Sequence, residues 1–307
     1  MRPPETANVP PGDGVPAEGA GARSLLHHAA TRLAAAGIAD PRREAEWLLE
    51  ASAGVARYRL LLAGDEAVDT TARRRFVACV ERRLAREPLQ YILGMQPFRT
   101  VDLAVDGRVL IPRPETEQLV DFCLALHHDG AILDVGTGSG AIAIALAVER
   151  PGLRVVATDV SVAALRLARS NAARVGVDVA FVCGDLLAPV APLVAGGALV
   201  VCNPPYIASR DLDSLEPEVR EWEPRLALDG GADGLSYYRR LAIEGRELIA
   251  AGAWLVVEVG AQQRRAVEAC MTESGAFASP VVGRDHAGIE RMLGFRRRAA
   301  RGRRRGG

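Results

Sequence analysis

The sequence predicts an α/β protein: a small helical domain followed by a mostly parallel sheet with helices on both faces. From residue 131 onward, short apolar runs alternate with segments of helical periodicity, and the first run ends in the glycine loop Gly136-Thr137-Gly138-Ser139-Gly140. Between residues 24 and 87 the apolar residues recur at helical spacing. A chain of 307 residues that is 49% hydrophobic is long enough to fill two cores.

Residues 24–36 read as a helix: Ser24 can cap it, Leu25, Leu26, Ala29, Ala30 and Leu33 share one face, and Gly37 can stop it. Asp40-Pro41 opens a second helix, with the carboxylate at the cap and proline in the first turn; Trp47, Leu48 and Ala51 continue it to Gly54. A short segment follows at 57–63. Thr70 or Thr71 opens a fourth helix, which carries Phe76, Val77, Val80 and Leu84 and stops before Pro88. A linker hairpin comes next: Val101, Leu103 and Val105 alternate, Asp106-Gly107 turns, and Val109 to Ile111 return.

The sheet strands are Ile132 to Val135, Val155 to Ala157, Val179 to Val182 and Leu199 to Val201. Helices fall at 141–149 and from the Ser161 cap to Val175. After an irregular acidic stretch come a helix at about 235–250, a strand at 253–259, a helix at about 262–274 and two closing strands. On such sheets ligands bind beyond the carboxyl ends of the strands.

Composition excludes several chemistries. All 38 basic residues are arginine, so no Schiff-base, P-loop or general-base lysine exists. Five scattered cysteines contain no C-x-x-C pair and five histidines no H-E-x-x-H, so neither a metal site nor a disulfide framework is expected. The net charge is zero. Residues 91–295 nevertheless hold 18 arginines against 26 acids, a poor platform for duplex DNA, whereas residues 23–90 hold 12 against nine. The start is rich in Pro and Gly without an apolar signal region, and no apolar run is long enough to span a membrane. A cytoplasmic protein that works as a monomer is expected.

Gly136-Thr137-Gly138-Ser139-Gly140-Ala141, followed by Asp159 at the end of the next strand, satisfies the G-x-G-x-x-A spacing of a dinucleotide fingerprint. Glycines allow a tight turn and close approach, and the acid can take both ribose hydroxyls. NAD and S-adenosylmethionine both carry that ribose, so the loop leaves both open. Asp185, after the third strand, would sit near the adenine amine.

Asn203-Pro204-Pro205-Tyr206 closes the fourth strand. Two prolines withdraw backbone donors and leave carbonyl acceptors, the Asn203 oxygen accepts as well, and Tyr206 offers a flat face. Such a loop suits a planar NH2 group and has no place in hydride transfer.

The chain here resembles the HemK family of release factor glutamine methyltransferases. The resemblance rests on Pro88-Leu-Gln-Tyr-Ile-Leu-Gly94, Ile111-Pro-Arg-Pro-Glu-Thr-Glu117, Asp134-Val-Gly-Thr-Gly-Ser-Gly140, Asn203 to Tyr206 and Gly288-Ile-Glu-Arg291. It implies a Rossmann-like methyltransferase domain that uses S-adenosylmethionine. Asp134, Gly136, Thr137, Gly138, Ser139, Gly140, Asp159, Asp185, Leu186 and Asn203 would serve the cofactor, and Asn203, Pro204, Pro205 and Tyr206 the catalysis. Leu186 stands where relatives can place an aromatic beside the adenine. The implied substrate is the glutamine of the Gly-Gly-Gln loop in class 1 peptide chain release factors. The implied layout is a disordered start at 1–22, a release-factor-binding helical domain at 23–87, the hairpin linker at 88–114, the catalytic domain at 115–295 and a disordered Arg-rich tail at 296–307. A ribosomal-protein glutamine methyltransferase, or an adenine-amine DNA methyltransferase, would share the same loop.

Overall fold

The computed structural model describes residues 21–56, 58–59, 68–126 and 130–299. All of the expected disordered start but Gly21 and Ala22, most of the 57–63 segment and most of the Arg-rich tail lie outside those residues. The chain divides into two units between Leu93 and Gly94.

The first unit is helical. Helix α1 (Ala22–Ala35) begins earlier than Ser24, because Ala22 is itself packed into the core; Gly21 occupies the cap position. Helix α2 (Pro41–Ala53) follows Asp40, whose side chain makes no capping bond, and ends at Gly54 in the left-handed conformation. Helix α3 (Thr70–Leu84) is capped by Asp69 rather than by either threonine: its carboxylate accepts from Thr71 N at 2.8 Å and Ala72 N at 3.0 Å. The short α4 (Leu89–Leu93) completes the unit. Leu25, Leu33, Leu48, Leu49, Phe76 and Val80 fill its core. Arg83 of α3, itself buried, bonds Glu44 of α2 at 2.6 Å, so the charge that enters the core is paired.

The second unit opens with a hairpin, but not the one the sequence suggested. Strand β1 (Met95–Phe98) pairs antiparallel with β2 (Val101–Ala104), and the turn is Arg99-Thr100. Asp106-Gly107 does turn the chain, since Val109 N donates to Asp106 O, yet residues 108–111 form no strand. The true partner was hidden by Pro97, which has no N–H to give a ladder and reads as a breaker. Arg99 adopts a φ of 52° at the turn, and is held there by Glu117, Asp121 and Glu149.

Helix α5 (Pro114–Leu126) leads into the sheet. The sheet strands are β3 (Ala131–Val135), β4 (Arg154–Asp159), β5 (Ala180–Cys183), β6 (Leu199–Cys202), β7 (Trp254–Glu258), β8 (Val281–Arg284) and β9 (Glu290–Arg296). Their order is β5-β4-β3-β6-β7-β9-β8; the first five run parallel, while β9 is antiparallel to β7 and to β8. Both edges are four-residue strands, and the β8 edge slips register between Gly283 and Arg284.

Alternate strand residues enter opposite cores, as the pleat requires. Leu133, Val135, Val200 and Val257 join Tyr238, Leu241, Val267 and Met271 from α10 (Ser236–Leu248) and α11 (Arg264–Thr272). Ile132, Val201 and Val256 join Leu119 of α5 and Ile142 and Ile144 of α6 (Ala141–Glu149) on the other face. Helix α7 (Val162–Val175) follows β4, and Ser161 caps it through Ala164 N. Between them α8 (Ala191–Ala195) and α9 (Pro217–Trp222) are short connectors. The strand order reverses at β3, so a crevice opens beyond the carboxyl ends of β3, β4 and β6.

Candidate active site

That crevice holds a pocket of about 160 Å³. Gly136 and Gly138 form its floor, with left-handed φ values of 74° and 56°, and a Cβ on either would meet no protein atom within 4 Å. The close-approach surface that side chains would fill is therefore empty of protein. Gly136 N and Thr137 N both donate to Thr158 O, which ties the loop across to β4.

Asp134 lies beneath the loop rather than in the pocket. It is fully buried, and its Oδ2 accepts from Thr137 Oγ1 at 2.6 Å and Ala143 N at 3.2 Å. Burial holds its carboxyl up to about 7, against the pull of those two donors. Thr137 and Ser139 are buried with it. Gly140 starts α6 where a Cβ would come 2.9 Å from Ile144 Cδ1. Of the loop residues, then, Gly136 and Gly138 face the pocket; Asp134, Thr137, Ser139 and Gly140 hold the loop's shape.

Asp159, at the end of β4, lines the pocket and is already engaged. Gly138 N donates to its Oδ2 at 2.9 Å and Ser161 N to its Oδ1 at 2.8 Å. Burial raises its carboxyl above the usual range, with these amides opposing the rise. Asp185 lines the same pocket but is exposed, and its Oδ2 takes a 2.7 Å bond from Arg240. Leu186 sits beside it, buried at a φ of 48°, and offers the pocket an aliphatic wall.

Asn203, Pro204 and Pro205 form a wall of the same pocket. Asn203 Nδ2 donates to Thr116 Oγ1 at 3.3 Å, and Thr116 Oγ1 donates to Glu258 Oε2 at 2.7 Å. Tyr206 is not part of that wall. Its ring is half-buried against the core that contains Tyr238, burial raises its hydroxyl's pKa, and its carbonyl accepts from Gln263 Nε2 at 2.9 Å. Gly230 and Gly234 clasp the loop from outside: a Cβ on Gly230 would lie 2.8 Å from Pro205 O, and one on Gly234 would overlap Tyr206 O.

Two further segments line the pocket, Arg108, Val109 and Leu110 from one and Pro224, Leu226 and Ala227 from the other. Arg113 bonds both oxygens of buried Glu223 at 2.7 and 2.8 Å, which joins the two segments.

Sequence reasoning missed Thr116, Glu258, Gln263 and the glycine clasp. Glu258 carried the same signal as Asp159, an acid at the end of an apolar strand. Thr116 stood inside the Ile111 to Glu117 motif, but nothing there pointed to its contact with Glu258.

Comparison with known proteins adds three findings. Residues 24–94 match the family described as PrmC N-terminal domain, and residues 115–218 the one described as methyltransferase small domain. The chain is 42% identical to the release factor glutamine methyltransferase of Geobacter sulfurreducens, over 89% of this chain and 96% of that one. It is 43% identical to the enzyme of the same name from Moorella thermoacetica, over 90% and 98%. Among solved structures, the hMettl16 catalytic domain in complex with the MAT2A 3'UTR hairpin 6 shares the fold at a TM-score of 0.52, with 15% identity over 73% of this chain and 81% of that one.

Proposed function

We infer the reaction from one premise: the chain belongs to the release factor glutamine methyltransferase family. It methylates the side-chain amide nitrogen of the glutamine in the Gly-Gly-Gln loop of class 1 release factors, with S-adenosylmethionine as donor.

The pocket residues fit that donor. Asp159 would hold the ribose hydroxyls with the lone pairs that Gly138 N and Ser161 N leave, and the bare faces of Gly136 and Gly138 admit the ligand to the backbone. Asp185 would meet the adenine amine and Leu186 the ring. Asp134, Thr137, Ser139 and Gly140 keep the loop in the shape that binding needs. When bound, S-adenosylmethionine supplies a methyl group on a cationic sulfur.

An amide nitrogen is a poor nucleophile because its lone pair is delocalised into the carbonyl. Placement and electrostatics are the levers available. The observation that carries the reading is Asn203, which lines the same pocket as Asp159, with its Nδ2 committed to Thr116 and its Oδ1 left as the other end of the amide. Asn203 Oδ1 and the Pro204 carbonyl accept the two N–H bonds of the glutamine amide, aim its lone pair, and favour the positive charge that develops on nitrogen. Pro205 and Tyr206 hold that carbonyl's position. After transfer the N-methylated cation is strongly acidic and releases its proton without a dedicated base.

The helical unit docks the release factor, since a glutamine in a glycine loop offers little surface for recognition. The reading is of a cytoplasmic monomer that acts on protein and not on duplex DNA. No helix among the described residues is long and apolar enough to cross a membrane, and residues 91–295 carry more acids than arginines.

Asn203→Ala tests the assignment. S-adenosylmethionine affinity, by calorimetry, should be unchanged, while methyl incorporation into purified release factor falls by about a hundredfold, the scale of one lost preorganised contact. Wild-type turnover by the variant overturns the role. If the wild-type chain ignores release factor and labels a ribosomal protein, the substrate is wrong.

A further inference from the structure

The two ends of an asparagine amide are nearly the same shape, yet they do opposite things: the oxygen accepts and the nitrogen donates. A substrate NH2 is held only if Asn203 presents its oxygen. What sets that choice lies behind the pocket. Thr116, buried on α5, has one hydroxyl proton and gives it to Glu258 Oε2 at 2.7 Å. With its proton committed there, the Thr116 oxygen can only accept from its other neighbour. At that neighbour, Asn203, only Nδ2 can donate, and it does so at 3.3 Å.

We propose that Thr116 and Glu258 are positioning residues, which fix through a directional hydrogen-bond chain the end of the Asn203 amide that faces the substrate. This rests on the reading of Asn203 Oδ1 as an acceptor for the glutamine amide.

The chain of donors holds this direction while Glu258 is ionised. Glu258 is 2% exposed. It faces Glu115 and Thr116 from α5, Cys202 and Asn203 from β6 and its loop, Tyr206, and Arg291 from β9; the Tyr238 hydroxyl of α10 donates to its backbone oxygen at 2.8 Å. Arg291 is itself bonded to Asp285. Burial, with the Glu115 charge beside it, holds the Glu258 carboxyl up to about 7, while the Thr116 hydroxyl, Arg291 and a hydrogen bond from the Asn203 amide itself pull it down, so the carboxylate also draws the Asn203 nitrogen towards it directly. A protonated Glu258 needs an acceptor and finds the Thr116 oxygen; the Thr116 proton then turns to Asn203, which must present its oxygen backwards. The competent arrangement thus exists above the pKa of Glu258 and is lost as pH falls through it.

The test measures release factor methylation by the full chain at saturating cofactor and substrate, from about pH 5.5 to about 8.5. The wild type should lose turnover on the acid side, and Glu258→Gln should be slower with that acid limb gone. Thr116→Val should reduce kcat at least tenfold without changing cofactor Kd, and Thr116→Ser should recover most of the loss. Wild-type turnover in T116V, failure of T116S to recover, a parallel loss of cofactor affinity, or an acid limb that survives in E258Q each overturns the proposal. If Asn203→Ala is itself fully active, the acceptor reading has failed instead.

Discussion

Asp159 grips two backbone amides, Gly138 N and Ser161 N, and faces the pocket with what remains of its carboxylate. Removing it should cost twice: the ribose hydroxyls lose a charged acceptor, and the glycine loop loses the group that holds Gly138 to β4. Asp159→Ala should weaken S-adenosylmethionine binding by about 1.5–3 kcal/mol, the range for hydrogen bonds to a charged group. Titration calorimetry checks this, and an unchanged affinity places the ribose elsewhere. Asp159 and Asn203 were legible in the sequence, because each closes an apolar run where a solvated acid or amide has no packing reason to be; Asp134, inside its run, entered through the family motif alone. The division of labour between the two acids was not legible. Asp134, within its strand, is buried under the loop, whereas Asp159, at the end of the next strand, opens to the pocket. Thr116 was illegible for a different reason: its importance is a contact across 142 residues of sequence.

At the scale of elements, the loop after β6 keeps its shape because another loop presses on it. Gly234 has a φ of 76°, and its missing side chain makes room for Tyr206 O. Gly234→Ala should therefore strain the backbone by about 1–2 kcal/mol and push the Tyr206 carbonyl off Gln263. Turnover on release factor should fall at least tenfold while cofactor affinity stays close to wild type, read from the same pair of assays. Equal turnover would mean that the loop needs no outer support. Strands β3, β4, β6 and β7 and helices α6, α7, α10 and α11 all lie where periodicity put them, because buried parallel strands and amphipathic helices leave strong patterns. The hairpin was misread: Asp106-Gly107 is a stronger local turn signal than Arg99-Thr100, but the latter is secured by Glu117, Asp121 and Glu149, contacts that no local window contains.

For the whole molecule, the division between Leu93 and Gly94 leaves each unit with a core of its own residues. A chain that starts at Gly94 should fold, bind S-adenosylmethionine and lose at least nine-tenths of its methylation of intact release factor. Circular dichroism and calorimetry establish the first two, and methyl incorporation the third. Full activity in the truncated chain would make the helices a cap with no part in recognition. The sheet of the larger unit carries a further consequence at its margins. A long bare edge offers its unpaired amides and carbonyls to any stray strand and so seeds aggregation. Here β5 and β8 are each four residues long, and β8 breaks register before its last residue. A newly made chain that has closed this sheet gives its neighbours on a crowded polysome almost nothing to zip onto, so the hazard is confined to the moments before β8 and β9 dock.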